Sequence, residues 1–377
     1  MKISKNITLI LLLSTTPYII QHATDQKETK WSDPEARITS VSLSGHTGVI
    51  GSVAISSDNT FIVTGSDDKT ARIWDAHTGT LLYTLSGHTS GINSVAISSD
   101  NQFIVTGSDD ETGRVWDAKT GTQLHTIYGH TSGITSVAIR PDNQFIVTGS
   151  YDKTALIWSA NTDTLLYPLI GHTERINSVT VSPDNQFIVT GSDDKTARIW
   201  NAHTSVLLHT LFKHTDAINS VAISPDNQFI VTGSDDKTAR IWNANTGELI
   251  RILKGHTDAI NSVAISPDNQ FIVTGSFFDN TARIWNANTG KLIRILKGCT
   301  YAISSVAISP NNQFIVTGSS DYGDHRARIW NAHTGALLHT LTGHTNLILS
   351  VAISSDNQFI VTTSSDRTTR IWRVQKE

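Results

Sequence analysis

The side chains in this sequence best suited to chemistry are histidines and aspartates that recur in register. His46, His88, His130, His172, His214, His256 and His344 are followed by Asp68, Asp110, Asp152, Asp194, Asp236, Asp279 and Asp366. Each of these aspartates stands six residues before a tryptophan. In one further copy Cys299 takes the histidine's place, with Asp324 and Trp330 downstream. Imidazole and carboxylate are the usual pair for general acid–base work and for binding a metal. Each copy, however, offers one of each, and copies on different units cannot converge on one ion or one substrate. A buried polar side chain must be satisfied, so the pattern reads as structural. Cys299, at the same place, reads as a degenerate structural position rather than a reactive thiol. A group that performs chemistry should occur once. The local group that does so is Asp321, Asp324 and His325, beside Arg326 in one segment, which reads as a solvated turn.

These residues are carried by repeated elements. Trp74, Trp116, Trp158, Trp200, Trp242, Trp285, Trp330 and Trp372 are spaced by 42 residues, lengthening once to 43 and once to 45, and only Trp31 stands apart. Within a unit, SVAIS (Ser52–Ser56), FIVTGS (Phe61–Ser66), ARIWD (Ala71–Asp75) and Leu81–Leu85 are short runs rich in β-branched and aromatic residues. Turns of Asp, Asn, Gly and Pro bound them, which predicts four strands per unit. Helical periodicity is absent from the body of the chain.

The Gly-His marker, the Asp-Lys-Thr turn and the Ile-Trp-Asp end, as at Gly45–His46, Asp68–Lys69–Thr70 and Ile73–Trp74–Asp75, resemble the WD-repeat family of β-propellers. The match covers some nine-tenths of the chain in eight units. Literal Trp-Asp survives only at Trp74–Asp75 and Trp116–Asp117; elsewhere Asn, Ser159 or Arg373 follows the tryptophan. The resemblance implies a buried hydrogen-bond network in each unit. It maps onto His46, Asp68, Thr64 and Trp74 in the first unit and His88, Asp110, Thr106 and Trp116 in the second, with Ser66 competing with Thr64 for the hydroxyl role.

The first strand, Arg37–Leu43, precedes Gly45–His46 in the position of a fourth strand, while the last unit stops after its third. The N-terminal strand is therefore expected to complete the last blade and to remove open edges. The fold expected is all-β: a single eight-bladed propeller of four-stranded antiparallel blades. A seven-bladed ring is the alternative, and it would leave strands unpaired.

In such blades the Gly-His segments and the Asp turns share one face, and that is where the units differ. Tyr151 and Phe278 replace an acidic residue found at Asp67, Asp109, Asp193 and Asp235, and two turns are longer. Glu174–Arg175, Phe277–Phe278, Tyr301, Tyr322, Asp324 and His325 are the other departures, and this set forms the candidate partner-binding face. The opposite face, with its repeated Pro-Asp-Asn turns, reads as scaffold.

Net charge is −4, with Lys and Arg scattered, so no basic stripe marks a nucleic-acid binder. A single cysteine excludes an intrachain disulfide. Residues 1–23 have the basic start and short apolar run of a signal peptide or apolar anchor, predicting export, with a cytoplasmic chain as the alternative. Residues 24–36 read as a polar linker and 37–377 as the propeller. No phosphate loop or nucleophile motif is present. The function expected is a non-enzymatic scaffold for proteins or peptides, without cofactor or metal, acting as a monomeric ring. The alternative is an exported propeller enzyme, a hydrolase or lyase, acting at the central channel.

Overall fold

The computed structural model describes residues 30–298, 302–319 and 323–375. Cys299, Tyr301, Asp321, Tyr322 and the segment expected to be a signal or anchor lie outside the described residues.

Each unit forms four consecutive antiparallel strands. In blade 1 these are Ile50–Ile55, Phe61–Ser66, Thr70–Asp75 and Leu81–Ser86, hydrogen-bonded in chain order. The two inner strands are packed on both faces, so they read as nearly continuous apolar or small residues. The outer strand buries little beyond Leu85. The turn Asp67–Asp68–Lys69 closes the middle hairpin, with Lys69 at φ 72° and its N–H bonded to Ser66 O at 3.1 Å. A type I turn followed by one left-handed residue suits the twist of the flanking strands.

Blades 1 to 7 follow the chain. The eighth combines Ile348–Ile353, Phe359–Ser364 and Thr368–Val374 with the N-terminal strand Ile38–Ser44. That strand runs antiparallel to Thr368–Val374, from Ile38↔Val374 to Ser44↔Thr368. The result is the expected eight-bladed ring, with four strands in every blade. Leu43, Val53, Ile62 and Trp74 bury against Phe359, Val361 and Ile371, so the closing seam has an apolar core of the kind found between the other blades.

Two devices join neighbouring blades. The inner strand carries a register shift between Ile50 and Ser52, a bulge of the kind that adds twist. Ser52 Oγ there accepts the N–H of Val95 in the next blade at 3.1 Å, as Ser94 does from Val137 at 2.8 Å. Gly65 lets the blades approach, since a Cβ there would lie 2.8 Å from Ile92 and Val95 methyl carbons.

On the face expected to be uniform scaffold, the units differ in one bond. Ser57 donates its N–H and Oγ–H to Asn101 Oδ1 across the blade boundary at 2.9 and 3.1 Å. Ser99 does the same to Asn143, and Ser355 to Asn59. Pro141, Pro183, Pro225, Pro267 and Pro310 stand where those serines do, and proline has no N–H to give; only at the last does a neighbour, the Asn311 N–H, reach the facing Asn357 Oδ1, at 3.4 Å. The facing Asn185, Asn227, Asn269 and Asn312 accordingly have a buried Oδ1 without a partner.

The segment expected to be a polar linker needs correction over its described part. Lys30–Ser32 forms a short 3-10 turn, and Trp31 is buried. Its Nε1–H donates to Asn357 O at 2.8 Å, and its ring packs against Phe314 and His339. The indole's large apolar area explains the docking. Among the described residues no helix is long and apolar enough to cross a membrane.

Candidate functional site

The repeated polar residues form one chain of hydrogen bonds per blade. In blade 1, His46 Nδ1 lies 2.7 Å from Asp68 Oδ2 and His46 Nε2 lies 2.8 Å from Thr64 Oγ1, while Trp74 Nε1–H donates to Thr64 Oγ1 at 2.9 Å. An ionised carboxylate can only accept, so His46 donates from Nδ1 and accepts at Nε2. Thr64 then donates to the imidazole and accepts from the indole, and every polar atom in the chain is satisfied. Blade 2 repeats the arrangement with His88, Asp110, Thr106 and Trp116. Thr64, rather than Ser66, is the hydroxyl involved. Ser66 Oγ instead accepts the N–H of Asp68 at 3.1 Å.

The electrostatics agree with neutral histidine and ionised aspartate. Burial pushes the His46 imidazole below its ordinary value, and Asp68 offsets this only in part. Burial would raise the Asp68 carboxyl, but hydrogen bonds from Thr70, Thr47 and His46 outweigh it and hold the group at about 2. Among the described residues no cluster of His, Cys, Asp and Glu could hold a metal ion.

In blade 7 the histidine position, Cys299, lies outside the described residues. Asp324 is 1% exposed and pairs with Arg328 at 2.7 Å. The corresponding Arg240 and Arg283 stand beside Asp236 and Asp279 in blades 5 and 6, at 3.4 and 3.7 Å. This corrects the expectation that Asp324 belongs to the exposed face, since a carboxylate in the network position is drawn inward. His325 beside it is half-buried.

The remaining candidates fall into two places. Arg175 Nε donates to Asp193 at 2.6 Å, and its guanidinium lies 5.5 Å from the Tyr151 ring centroid. Glu174, exposed, pairs with Lys153 at 3.5 Å. Blades 3 and 4 therefore share one cluster of Tyr151, Glu174 and Arg175. In blade 6, Phe277 is half-buried and Phe278 exposed, their rings edge to face at 4.4 Å. The expected grouping of this pair with Tyr301 and Tyr322 lies outside the described residues.

On the axial side of the same face, inner-strand residues that sequence reading did not single out hold the acids. Asn93 Nδ2 donates to Asp109 and to Ile134 O of the next blade, Asn177 to Asp193, and Asn219 to Asp235. Burial raises the Asp235 carboxyl, and the charges of Asp216, Asp193 and Asp258 add to this against the Asn219 bond. The signal was available in the sequence: Asn93, Thr135, Asn177, Asn219 and Ser304 occupy one column of the inner strands.

Eight four-stranded blades closed by the N-terminal strand, each with a His–Asp–Thr–Trp chain or its variant, define a propeller of the WD type. The family model described as "WD domain, G-beta repeat" matches residues 37–75, 79–117, 121–159, 163–201, 205–243, 247–286, 290–331 and 335–373, and the chain belongs to this WD40 family. Among solved structures it is similar to the computationally designed Ika8 protein. The identity is 28% over 88% of this chain and 98% of that one, with a TM-score of 0.78. The comparison with curated proteins returns no match.

Proposed function

We propose that this propeller is a non-enzymatic scaffold that holds another protein or a peptide on the face formed by its Gly-His segments and Asp turns. The observation that carries the reading is Phe278. It is 66% exposed and edge-packed on Phe277, whose N–H bonds Ala259 O as that of Asp67 bonds Val49 O, so the pair stands where other blades present Asp67, Asp109, Asp193 and Asp235. Exposed aromatics beside fixed charges are the usual anchors of protein interfaces. Tyr151, Glu174 and Arg175 form the second contact point, and Tyr301, Tyr322 and His325 are proposed to extend the first. The ring acts as a monomer in this reading, and residues 1–23 direct its export, as their basic start and apolar run suggest.

Cross-linking pull-down from native cells tests this, with the natural chain beside F278A and R175A. Both side chains are at least partly exposed, so neither change disturbs the blade cores. A discrete partner that is lost with either substitution supports the reading. An unchanged set of captured proteins, or a turnover activity abolished by changing one acid of the face, contradicts it.

A further inference from the structure

The outer rim of the same face carries a second feature, separate from the site above. The residue two before the network histidine position is the last of the outer strand or the one just after it. It is polar in five units, Ser44, Ser86, Lys254, Lys297 and Thr342, but is Tyr128, Ile170 and Phe212 in three consecutive ones. Those three are 70%, 70% and 66% exposed, among the highest values for large apolar side chains in the described residues. An apolar side chain left in water at one register position in adjacent blades is unfavourable unless something covers it. Along the rim the apolar stretch gives way to cations. Lys213 lies with its Nζ 5.0 Å from the Phe212 ring centroid, and exposed Lys254 and Lys297 continue the line on the next two blades.

We propose that this rim is a docking surface for an extended protein segment that carries bulky apolar side chains followed by acidic ones. The apolar part would lie over Tyr128, Ile170 and Phe212, and the acidic part over Lys213, Lys254 and Lys297. Charge complementarity selects the partner. The chain as a whole is negative, at −4, yet this arc is basic, so an acidic segment is steered to it rather than to the acid-lined axial side. The alternative occupant, an anionic membrane, fits the geometry less well. Lying flat, the propeller would press Asp67, Asp109, Asp193 and Asp235 toward the lipid charge. Standing on edge, it would present three anchors spread over about a quarter of a turn of a convex ring, which a plane cannot meet together. A flexible chain follows that curve.

The test uses the full chain and fluorescently labelled synthetic peptides that combine Leu, Phe or Trp with Glu and Asp. Charge-reversed peptides carrying Lys in place of the acids, and vesicles of phosphatidylserine and phosphatidylcholine, run in parallel. Y128S, I170S and F212S are combined in one variant, which folds because Ser44 and Ser86 occupy the same position in other units. K213E, K254E and K297E form a second variant. Acidic–apolar peptides are expected to bind more weakly as salt rises, charge-reversed peptides to fail, and each variant to lose about tenfold or more in affinity. The proposal is overturned if no acidic–apolar peptide binds, or if both variants bind as the natural chain does. It is also overturned if vesicles capture the protein while peptides do not, or if the serine variant instead converts a self-associated chain to monomer. None of these outcomes depends on Phe278 or Arg175, so the rim and the face above can fail separately.

Discussion

In blade 3, Thr148 Oγ1 stands 2.7 Å from His130 Nε2 and receives the Trp158 indole N–H at 2.9 Å. Valine fits the same space but leaves a buried donor and a buried acceptor unpaired. Thr148→Val is therefore expected to lower stability by about 1–3 kcal/mol, and Thr148→Ser to keep most of it. Urea denaturation of the three proteins reads this directly, and a valine variant as stable as the natural chain would remove the network's structural role. The same network sets the response to acid. Burial holds His46, His88, His172, His214 and His256 below their ordinary value of 6.5. As pH falls through 6.5, the unfolded chain gains these protons before the folded one, so stability drops. A second drop follows as pH falls below 3.8, because Asp68, Asp110 and Asp279 are held at about 2 in the fold. Denaturation midpoints measured from neutral to acid pH should fall in these two windows; a midpoint that rises below pH 6.5 would contradict the neutral-histidine assignment. Most of this was legible in the sequence, because eight copies reveal what must be structural. Asp324 could be read two ways, because its fixed spacing to Trp330 put it in the network while the long turn around it put it among the exposed candidates.

At the scale of the element, the turns on the face away from the Gly-His segments carry an asymmetry. Asn143 Oδ1 receives both donors of Ser99, whereas Asn185 Oδ1, facing Pro141, receives none. Both asparagines have left-handed backbones, φ 62° and 66°, so substitution by Ala strains each alike. Asn143→Ala should therefore cost about 1 kcal/mol more than Asn185→Ala, the worth of the inter-blade bonds. Equal losses would mean that those bonds contribute nothing. The four strands, their order and their turns were readable from the alternation of β-branched runs with Asp, Asn, Gly and Pro. The exchange of Ser for Pro was equally visible, but its effect falls on an asparagine in the neighbouring unit, about one repeat away. The exposed column of Tyr128, Ile170 and Phe212 was missed for a related reason. These residues stand just before the Gly-His marker, at the end of an apolar run where a bulky side chain looks like part of the strand.

At the scale of the molecule, stability rests on closing the circle. Seven seams join blades that are neighbours in sequence, while the eighth joins the two ends of the propeller. That seam also differs from the others at one inner position. Where six units carry the blade-approach glycine seen at Gly65, and the seventh Gly318, the last carries Thr363, fully buried with its Oγ1 unpartnered. The N-terminal segment is held by two contacts: the full-length pairing of Ile38–Ser44 with Thr368–Val374, and Trp31, which anchors the segment before that strand on Phe314 and His339 of blade 7 and Asn357 O of blade 8. The pairing was readable from the missing fourth strand of the last unit. The tryptophan was not, because a lone aromatic in a polar, charged stretch gives no pattern to read. The decisive measurement compares the full chain with one lacking residues 1–44, by light scattering and thermal melting. Loss of the closing strand and of Trp31 should expose the edge of Thr368–Val374 and the apolar seam, giving a chain that melts lower and aggregates. A truncated chain that stays monomeric and melts with the full-length protein would show that the ring is not held closed by its N-terminus.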